Sequence, residues 1–402
     1  MHLGLLFDDP MLERQGVGAL QQALYGGADF GECLTTARRI VEGDAESWYR
    51  EWLATADRIF RIAEDCRTRG HLVSAREAYL RASNYYRTSY LFLFGAPTDP
   101  RLVATFDREV DAFVKAAALF EPPIEPVEIP FEGTTLPGYF YRVDSSGRPR
   151  QTVIATNGYD STVQQMHFGH AAAAVRRGYN CLTFDGPGQG RVLYRQGIPM
   201  RHDWENVVSR VVSFALTKPE VNPERIALIG WSFGGYLAPR AASGEPRLAA
   251  CIADPGQWDM LEAMRSLFLG LPPGVFDDPE GADPAIFEPF LERIESNLTL
   301  RWSVRQRGLW VHGVDSLAGY LSLARNYRLS NVAGQIKCPT LVTQAESDPI
   351  AAYAQKLYDA LTCPKTLMRF TDEEGAGDHC EGMARALFHQ RAFDWLDQTL
   401  GI

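Results

Sequence analysis

Between residues 44 and 120, apolar side chains return every three or four positions. Tyr49, Trp52, Ala56, Ile59, Ala63 and Cys66 mark one such face, and Ala75, Tyr79, Ala82, Tyr86 and Tyr90 mark a second. This spacing predicts two amphipathic helices. A third is predicted from Asp99-Pro100, a capping aspartate followed by proline at the first helical position, through Leu102, Phe106, Val110, Phe113 and Ala117. No self-similar period links the three, so they read as one small bundle and not as a helical repeat.

Glu121-Pro122-Pro123-Ile124-Glu125-Pro126 ends the helical pattern, because proline lacks a donor and restricts the residue before it. Beyond it, residues 127–131 and 136–143 predict a hairpin. Short β-rich runs follow at 152–156, 180–184, 226–229, 249–253, 340–343 and 366–370, with helical stretches between most of them. Buried strands alternating with helices imply an α/β fold, a mostly parallel sheet covered on both faces. Between Gly256 and Ile336 the alternation stops, and helical segments at 289–297 and 317–326 replace it. The expected organisation is a helical cap region at 1–125, the first part of the core at 126–256, a helical lid insertion at 257–336 and the second part of the core at 337–402. An insertion at that point falls over the C-terminal ends of the strands, where open α/β sheets bind their ligands.

With 402 residues, 46% hydrophobic and 22% charged, the chain has apolar material for a large core and no compositional sign of disorder. The formal net charge of −10 counts against a polyanion partner, so nucleic acid is excluded and a small-molecule substrate is expected. Seven cysteines without a C-x-x-C pair read as core residues in a reducing compartment. The opening stretch Met1-His2-Leu3-Gly4-Leu5-Leu6-Phe7 lacks a basic start and turns acidic at Asp8-Asp9, so no signal peptide is read. No apolar run approaches the roughly 20 residues of a membrane helix, and a cytoplasmic protein without a membrane partner is expected.

The chemistry concentrates in Gly230-Trp231-Ser232-Phe233-Gly234-Gly235, directly after the aliphatic run Ile226-Ala227-Leu228-Ile229. A G-x-S-x-G run between a strand and a helix is what a nucleophile elbow requires, since the serine occupies a sharp turn and its neighbours must let backbone pass closely. A serine hydroxyl needs an adjacent base, itself oriented by an acid. His379, in Glu374-Gly375-Ala376-Gly377-Asp378-His379-Cys380 after the last predicted strand, is the candidate base. Of the other histidines, His167 and His170 precede or open a helix, His312 falls inside the lid and His389 within the last helix. Asp348, in the turn after the strand at 340–343, is the leading acid, and Asp254 and Glu346 remain alternatives. Two backbone amides should receive the oxyanion: Phe233, after the nucleophile, and Tyr159, in the turn Asn157-Gly158-Tyr159-Asp160.

Asp185-Gly186-Pro187-Gly188-Gln189-Gly190 lacks the spacing of a phosphate loop and reads as a turn shaping the pocket wall. His167-x-x-His170 has no further ligands in sight, so no metal and no organic cofactor is expected. Tyr79, Tyr85, Tyr86, Tyr90 and Phe92, with Trp302 and Trp310 of the insertion, are mostly cap core. Tyr86 and Trp310 are the candidates to reach a flat apolar substrate.

Together, Arg81-Ala82-Ser83-Asn84-Tyr85, Asn157-Gly158-Tyr159-Asp160-Ser161-Thr162, the Asp185–Gly190 turn, the Ser232 elbow and Gly377-Asp378-His379-Cys380 resemble the α/β-hydrolase group that contains bacterial dihydroxypseudooxynicotine hydrolase and the fungal polyketide chain-shortening hydrolase of pigment biosynthesis. The resemblance runs from about residue 45 to the C-terminus. It implies the α/β-hydrolase fold with a helical cap and a Ser232, Asp348 and His379 triad. It further implies retro-Claisen cleavage of a carbon–carbon bond beside a ketone in secondary metabolism, and a homodimer. Where the nicotine-pathway enzyme has acidic residues after the Ser-Thr turn, this chain has Gln164-Gln165. That departure favours a neutral, polyketide-like substrate over a cationic amine, with Gln164 as a substrate-binding candidate.

Overall fold

Eight strands form one sheet in the order β1-β2-β4-β3-β5-β6-β7-β8. This computed structural model describes residues 4–265 and 268–402, so residues 1–3 of the opening stretch read above lie outside the described residues. The strands are β1 (Glu125–Phe131), β2 (Thr134–Tyr141), β3 (Arg150–Thr156), β4 (Asn180–Phe184), β5 (Val221–Trp231), β6 (Ala250–Asp254), β7 (Thr340–Ala345) and β8 (Lys365–Phe370). Phe131 pairs with Thr134, so Glu132 and Gly133 alone make the β1–β2 turn. Both have positive φ, at 40° and 83°, the two-residue geometry whose twist matches a hairpin. β2 pairs antiparallel with β4, and every later pair is parallel. All five residues of β4 and of β6 are buried, as a sheet covered on both faces demands.

Sequence and structure agree closely at 180–184, which is β4. They differ at β5, which starts at Val221 instead of 226 because Val221 pairs with Arg150 before a register shift lets Ile226 resume opposite Thr152. The fold is the expected α/β-hydrolase fold: a mostly parallel sheet flanked by helices, preceded by a helical region.

That region has five principal helices: α1 (Pro10–Gln21), α2 (Phe30–Ala37), α3 (Ala45–Thr68), α4 (Leu72–Ser89) and α5 (Pro100–Ala117). The apolar periodicity foretold α3 to α5 and passed over α1 and α2. The missed signal was Asp9-Pro10: the Asp9 carboxylate accepts from the Met11 and Leu12 amides, a cap-and-proline start like Asp99-Pro100. α4 is held from both sides. Asn84 donates to the carbonyls of Ala19 and Gly27 at 3.0 and 2.8 Å, and Trp48 donates to Thr88 O at 2.8 Å.

The sheet and the helical front share one apolar cluster, while Met264, Phe268, Phe276, Phe287, Leu317 and Leu321 belong to a smaller one between β6 and β7. The expected helices there appear as Glu288–Ser296 and Leu317–Ala324. Between them a π-helical segment, Arg301–Leu309, was not foreseen, because its arginines at 301, 305 and 307 interrupt any apolar stripe. Trp302 ties the segment to the front, donating to Leu91 O at 2.8 Å and stacking on Phe94 with ring centroids 5.9 Å apart. No helix among the described residues is long and apolar enough to cross a membrane.

Candidate active site

β5 delivers Ser232 at its C-terminal end with φ of 60°, a left-handed conformation that side-chain-bearing residues rarely adopt. The surrounding chain over-determines this strain. Ser232 N donates to Asp254 O at 2.8 Å, its carbonyl accepts from Gly235 N at 2.8 Å, and Gln257 Nε2 reaches the same carbonyl at 2.6 Å. Gly230 is indispensable to the turn: a Cβ there would lie 1.8 Å from Gly234 O.

His379 follows β8, and Asp348 follows β7. The two loops are joined where Ser347 N donates to Gly377 O at 2.8 Å. Ser232 Oγ lies 2.9 Å from His379 Nε2, and His379 Nδ1 lies 2.8 Å from Asp348 Oδ2. An Nδ1–H donated to the carboxylate leaves the Nε2 lone pair facing the serine hydroxyl. The Asp348 side chain is 1% exposed, and its other oxygen accepts from Ile350 N at 3.0 Å. The alternative acids are engaged elsewhere. Asp254 Oδ2 accepts from Arg385 at 2.9 Å and its Oδ1 from Thr343 at 3.2 Å, while Glu346 Oε2 accepts from Asp372 N at 2.9 Å.

Burial opposes a charge on His379, but the Asp348 carboxylate, by charge and hydrogen bond, overrides it and raises the imidazole above its ordinary range. The neutral ring is the form that accepts a proton. Activity should therefore rise with pH through an acid limb lying above the ordinary histidine value of about 6.5. A pH profile of kcat/KM checks this, and a limb at or below that value contradicts His379 as the base.

The turn after β3 approaches the elbow closely. A Cβ on Gly158 would sit 2.8 Å from Phe233 N and 2.9 Å from Ser232 Cβ, so only glycine fits. The Tyr159 and Phe233 amides find no acceptor among the described residues. The Tyr159 ring stacks on Phe233 at 4.4 Å, and its hydroxyl lies 2.7 Å from His312 Nε2. Burial, with the nearby Arg307, pushes His312 down to about 3, which keeps it neutral. Asp160 is clamped from the helical front and from the insertion, since Arg87 of α4 donates to its carbonyl and Arg307 of the π-helical segment to its carboxylate, each at 2.7 Å. Below the turn, Gln189 of the Asp185–Gly190 loop donates to Asn157 O at 2.7 Å, and Asp185 accepts from Asn157 Nδ2 at 2.9 Å.

The structure thus brings Ser232, His379, Asp348, Tyr159 and Phe233 together. Trp310, two residues before His312, packs on Tyr194 with ring centroids 5.4 Å apart. Gln164 donates to Tyr139 of the inner strand β2 at 3.2 Å, and its buried Oε1 has no partner among the described residues. Tyr86 is not part of the group. Its buried hydroxyl bonds Asp57 of α3 at 2.8 Å and Arg108 of α5 at 2.9 Å, which makes it a joint of the helical front. Tyr86→Ala should therefore cost about 3 kcal/mol or more in urea unfolding and leave relative rates across a substrate panel unchanged. A stable variant with altered preference would contradict this.

The sequence profile described as the alpha/beta hydrolase family matches residues 153–392, a span that contains every residue of the Ser232 group. The chain belongs to the alpha/beta hydrolase family. A second profile, described as esterase FrsA-like, matches residues 38–262 and so takes in most of the helical front. Among curated proteins, this alpha/beta hydrolase is 35% identical to hydrolase LUC6 of Fusarium sp over 95% of each chain. It is 36% identical to 20-hydroxy-prefusarin hydrolase FUS2 of Gibberella moniliformis over 94% of each. The solved 2,6-dihydroxy-pseudo-oxynicotine hydrolase superposes with a TM-score of 0.74 and 24% identity over 95% of both chains, a likeness of fold. The chain is accordingly a hydrolase.

Sequence reasoning missed what underlies this hydrolase's site. Asp254, Arg385 and Glu381 form a buried cluster beneath Ser232 and His379, with Arg385 Nη1 2.9 Å from Asp254 and 3.9 Å from Glu381. Neither Glu381 oxygen has a geometrically formed hydrogen bond among the described residues. Burial and the Asp254 charge push its carboxyl well above the usual range, so it holds its proton. The i, i+4 spacing of Glu381 and Arg385 was visible in the sequence, but their depth was not.

Proposed function

We propose that the protein is a serine hydrolase that cleaves a carbon–carbon bond beside a ketone in a neutral, aromatic or polyketide-like 1,3-diketone. The observation that carries the serine mechanism is the continuous chain from Ser232 Oγ through His379 to the buried Asp348, with links of 2.9 and 2.8 Å. His379 Nε2 takes the hydroxyl proton as Oγ attacks one ketone carbon, and the developing oxyanion falls between the Phe233 and Tyr159 amides. Collapse breaks the bond to the central carbon, which leaves as a resonance-stabilised enolate and takes a proton from His379. Water, deprotonated by the same imidazole, then releases the acyl group. One diketone and one water give one carboxylic acid and one ketone.

Aromatic surroundings support a flat apolar substrate: Tyr159 and Phe233 at the turn, with Trp310 and Tyr194 stacked beyond. The nearby Arg87 and Arg307 favour a neutral or anionic substrate over a cation. The similarity to proteins named for acting on 20-hydroxy-prefusarin and 2,6-dihydroxy-pseudo-oxynicotine fits substrates of natural-product size. Simple ester hydrolysis is the second reading, favoured by the FrsA-like esterase profile over residues 38–262.

A panel of aryl 1,3-diketones, acylated polyketides and activated esters, run in heavy-oxygen water with products followed by mass spectrometry, separates the two. The expected result is a labelled acid plus a ketone from the diketones. Efficient ester turnover, or loss of an acyl group as acid and alkene, with every carbon skeleton intact would overturn carbon–carbon cleavage and leave the Ser232 mechanism standing.

A further inference from the structure

A cavity of about 270 Å³ lies between the helical front, the β1–β2 hairpin and the helix that follows β3. It is remote from Ser232. Its lining includes Tyr141, which pairs with Cys181 near the start of β4, whereas the Ser232 group gathers at the opposite ends of the parallel strands. No lining residue belongs to that group.

Two kinds of surface meet in this cavity. Phe120, Leu80, Ile124 and Val175 supply an apolar wall, and Arg76, Arg142 and Arg176 supply cations. The Arg76 guanidinium lies over the Phe120 ring at 4.8 Å and that of Arg176 over the Tyr25 ring at 4.7 Å. Neither forms a salt bridge with a carboxylate among the described residues, and Arg142 is 3.9 Å from its only such partner, Glu220. Glu77 and Glu121 also border the cavity, both exposed to solvent. An arginine held over an aromatic ring by its guanidinium carbon still has N–H groups with which to meet a planar carboxylate.

Behind the wall, polar atoms of two lining residues lack partners among the described residues. His167 is 3% exposed, its ring stands 5.7 Å from that of Tyr141 and 5.4 Å from that of Phe120, and its Nδ1 has no hydrogen bond. Arg142 Nε is likewise buried and unpartnered. Burial, reinforced by Arg176 and Arg76, pushes His167 down to about 3, so it meets a ligand as a neutral ring.

We infer that this cavity is a second small-molecule site, separate from the Ser232 site, that takes a compact apolar monoanion of the aryl or medium-chain carboxylate class. The volume is close to the lower bound of roughly 300 Å³ for ligand pockets and suits a fused two-ring arene. The apolar wall argues against inorganic phosphate or sulfate, which would leave it dry and unfilled.

Calorimetric titration of the full chain with 2-naphthoate tests the site. One equivalent should bind, and binding should persist after Ser232 has been phosphonylated by a fluorophosphonate. Arg76→Gln combined with Arg176→Gln should weaken it at least tenfold while ester turnover stays at the level of the unaltered protein. Val175→Trp, which fills the cavity and keeps both cations, should weaken it to a similar extent, so the test survives poor folding of either variant. The uncharged 2-naphthamide should bind at least tenfold more weakly. Loss of naphthoate binding on phosphonylation would place the ligand at Ser232 and overturn the inference. Equal affinity for the amide would overturn the anion preference, and unchanged binding in both variants would overturn the location.

Discussion

Ser232→Ala should lower kcat by about 10⁴- to 10⁶-fold, the range seen when a triad serine is removed and only binding and oxyanion stabilisation remain. The fold should survive. Alanine adds no bulk to an elbow where a Cβ already stands at φ of 60°, and the backbone bonds to Asp254, Gly235 and Gln257 do not involve the hydroxyl. One competitor stands close enough to matter, since Cys380 Sγ lies 3.5 Å from His379 Nε2. A thiolate there could in principle attack a carbonyl. Burial, together with the Asp254 charge, pushes the Cys380 thiol well above its ordinary range, so it stays protonated. The Cys380→Ala variant should therefore keep near-normal turnover and label fully with a fluorophosphonate, while Ser232→Ala should do neither. A folded Ser232→Ala protein within tenfold of the original rate would remove Ser232 from the mechanism.

What could be read in advance follows from how local each determinant is. The elbow was legible because glycine spacing around Ser232 records a steric requirement within six residues. The strands were legible because a sheet covered on both faces needs apolar runs, as in β4 and β6. Tyr86 shows the limit. Its place on an apolar helix face could not tell burial between α3 and α5 from exposure to a substrate, and its hydroxyl proved to be engaged by Asp57 and Arg108. His312 failed in the other direction. As one histidine inside an irregular insertion it carried no motif, yet chain packing brings it to 2.7 Å from the Tyr159 hydroxyl. Arg307 and Arg87 meet at Asp160 from regions far apart in sequence, and no spacing records such a meeting. The cluster of Asp254, Arg385 and Glu381 has the same character.

Asp348→Asn should lower kcat by about 10⁴-fold, because an amide facing His379 Nδ1 favours the tautomer whose Nε2 carries a hydrogen and cannot accept the serine proton. The geometry allows a sharper comparison with Asp254, the acid left open by the sequence. Asp348 holds the imidazole at 2.8 Å, whereas Asp254 holds Arg385 at 2.9 Å inside the protein. Removing the Asp254 charge leaves a buried guanidinium short of its counter-charge, a loss of about 3–5 kcal/mol where a buried pair is broken. Asp254→Asn should thus appear first as a lowered unfolding midpoint. Asp348→Asn should instead unfold near the original midpoint and lose turnover. The acid limb offers an independent readout. The Asp348 charge is the main influence raising His379, so its removal lets burial prevail and moves the residual activity's limb to lower pH. Urea unfolding, kcat and the pH profile of kcat/KM for the two variants decide the matter. If Asp254→Asn proves stable and inactive with a displaced limb while Asp348→Asn stays active, the orienting carboxylate is Asp254.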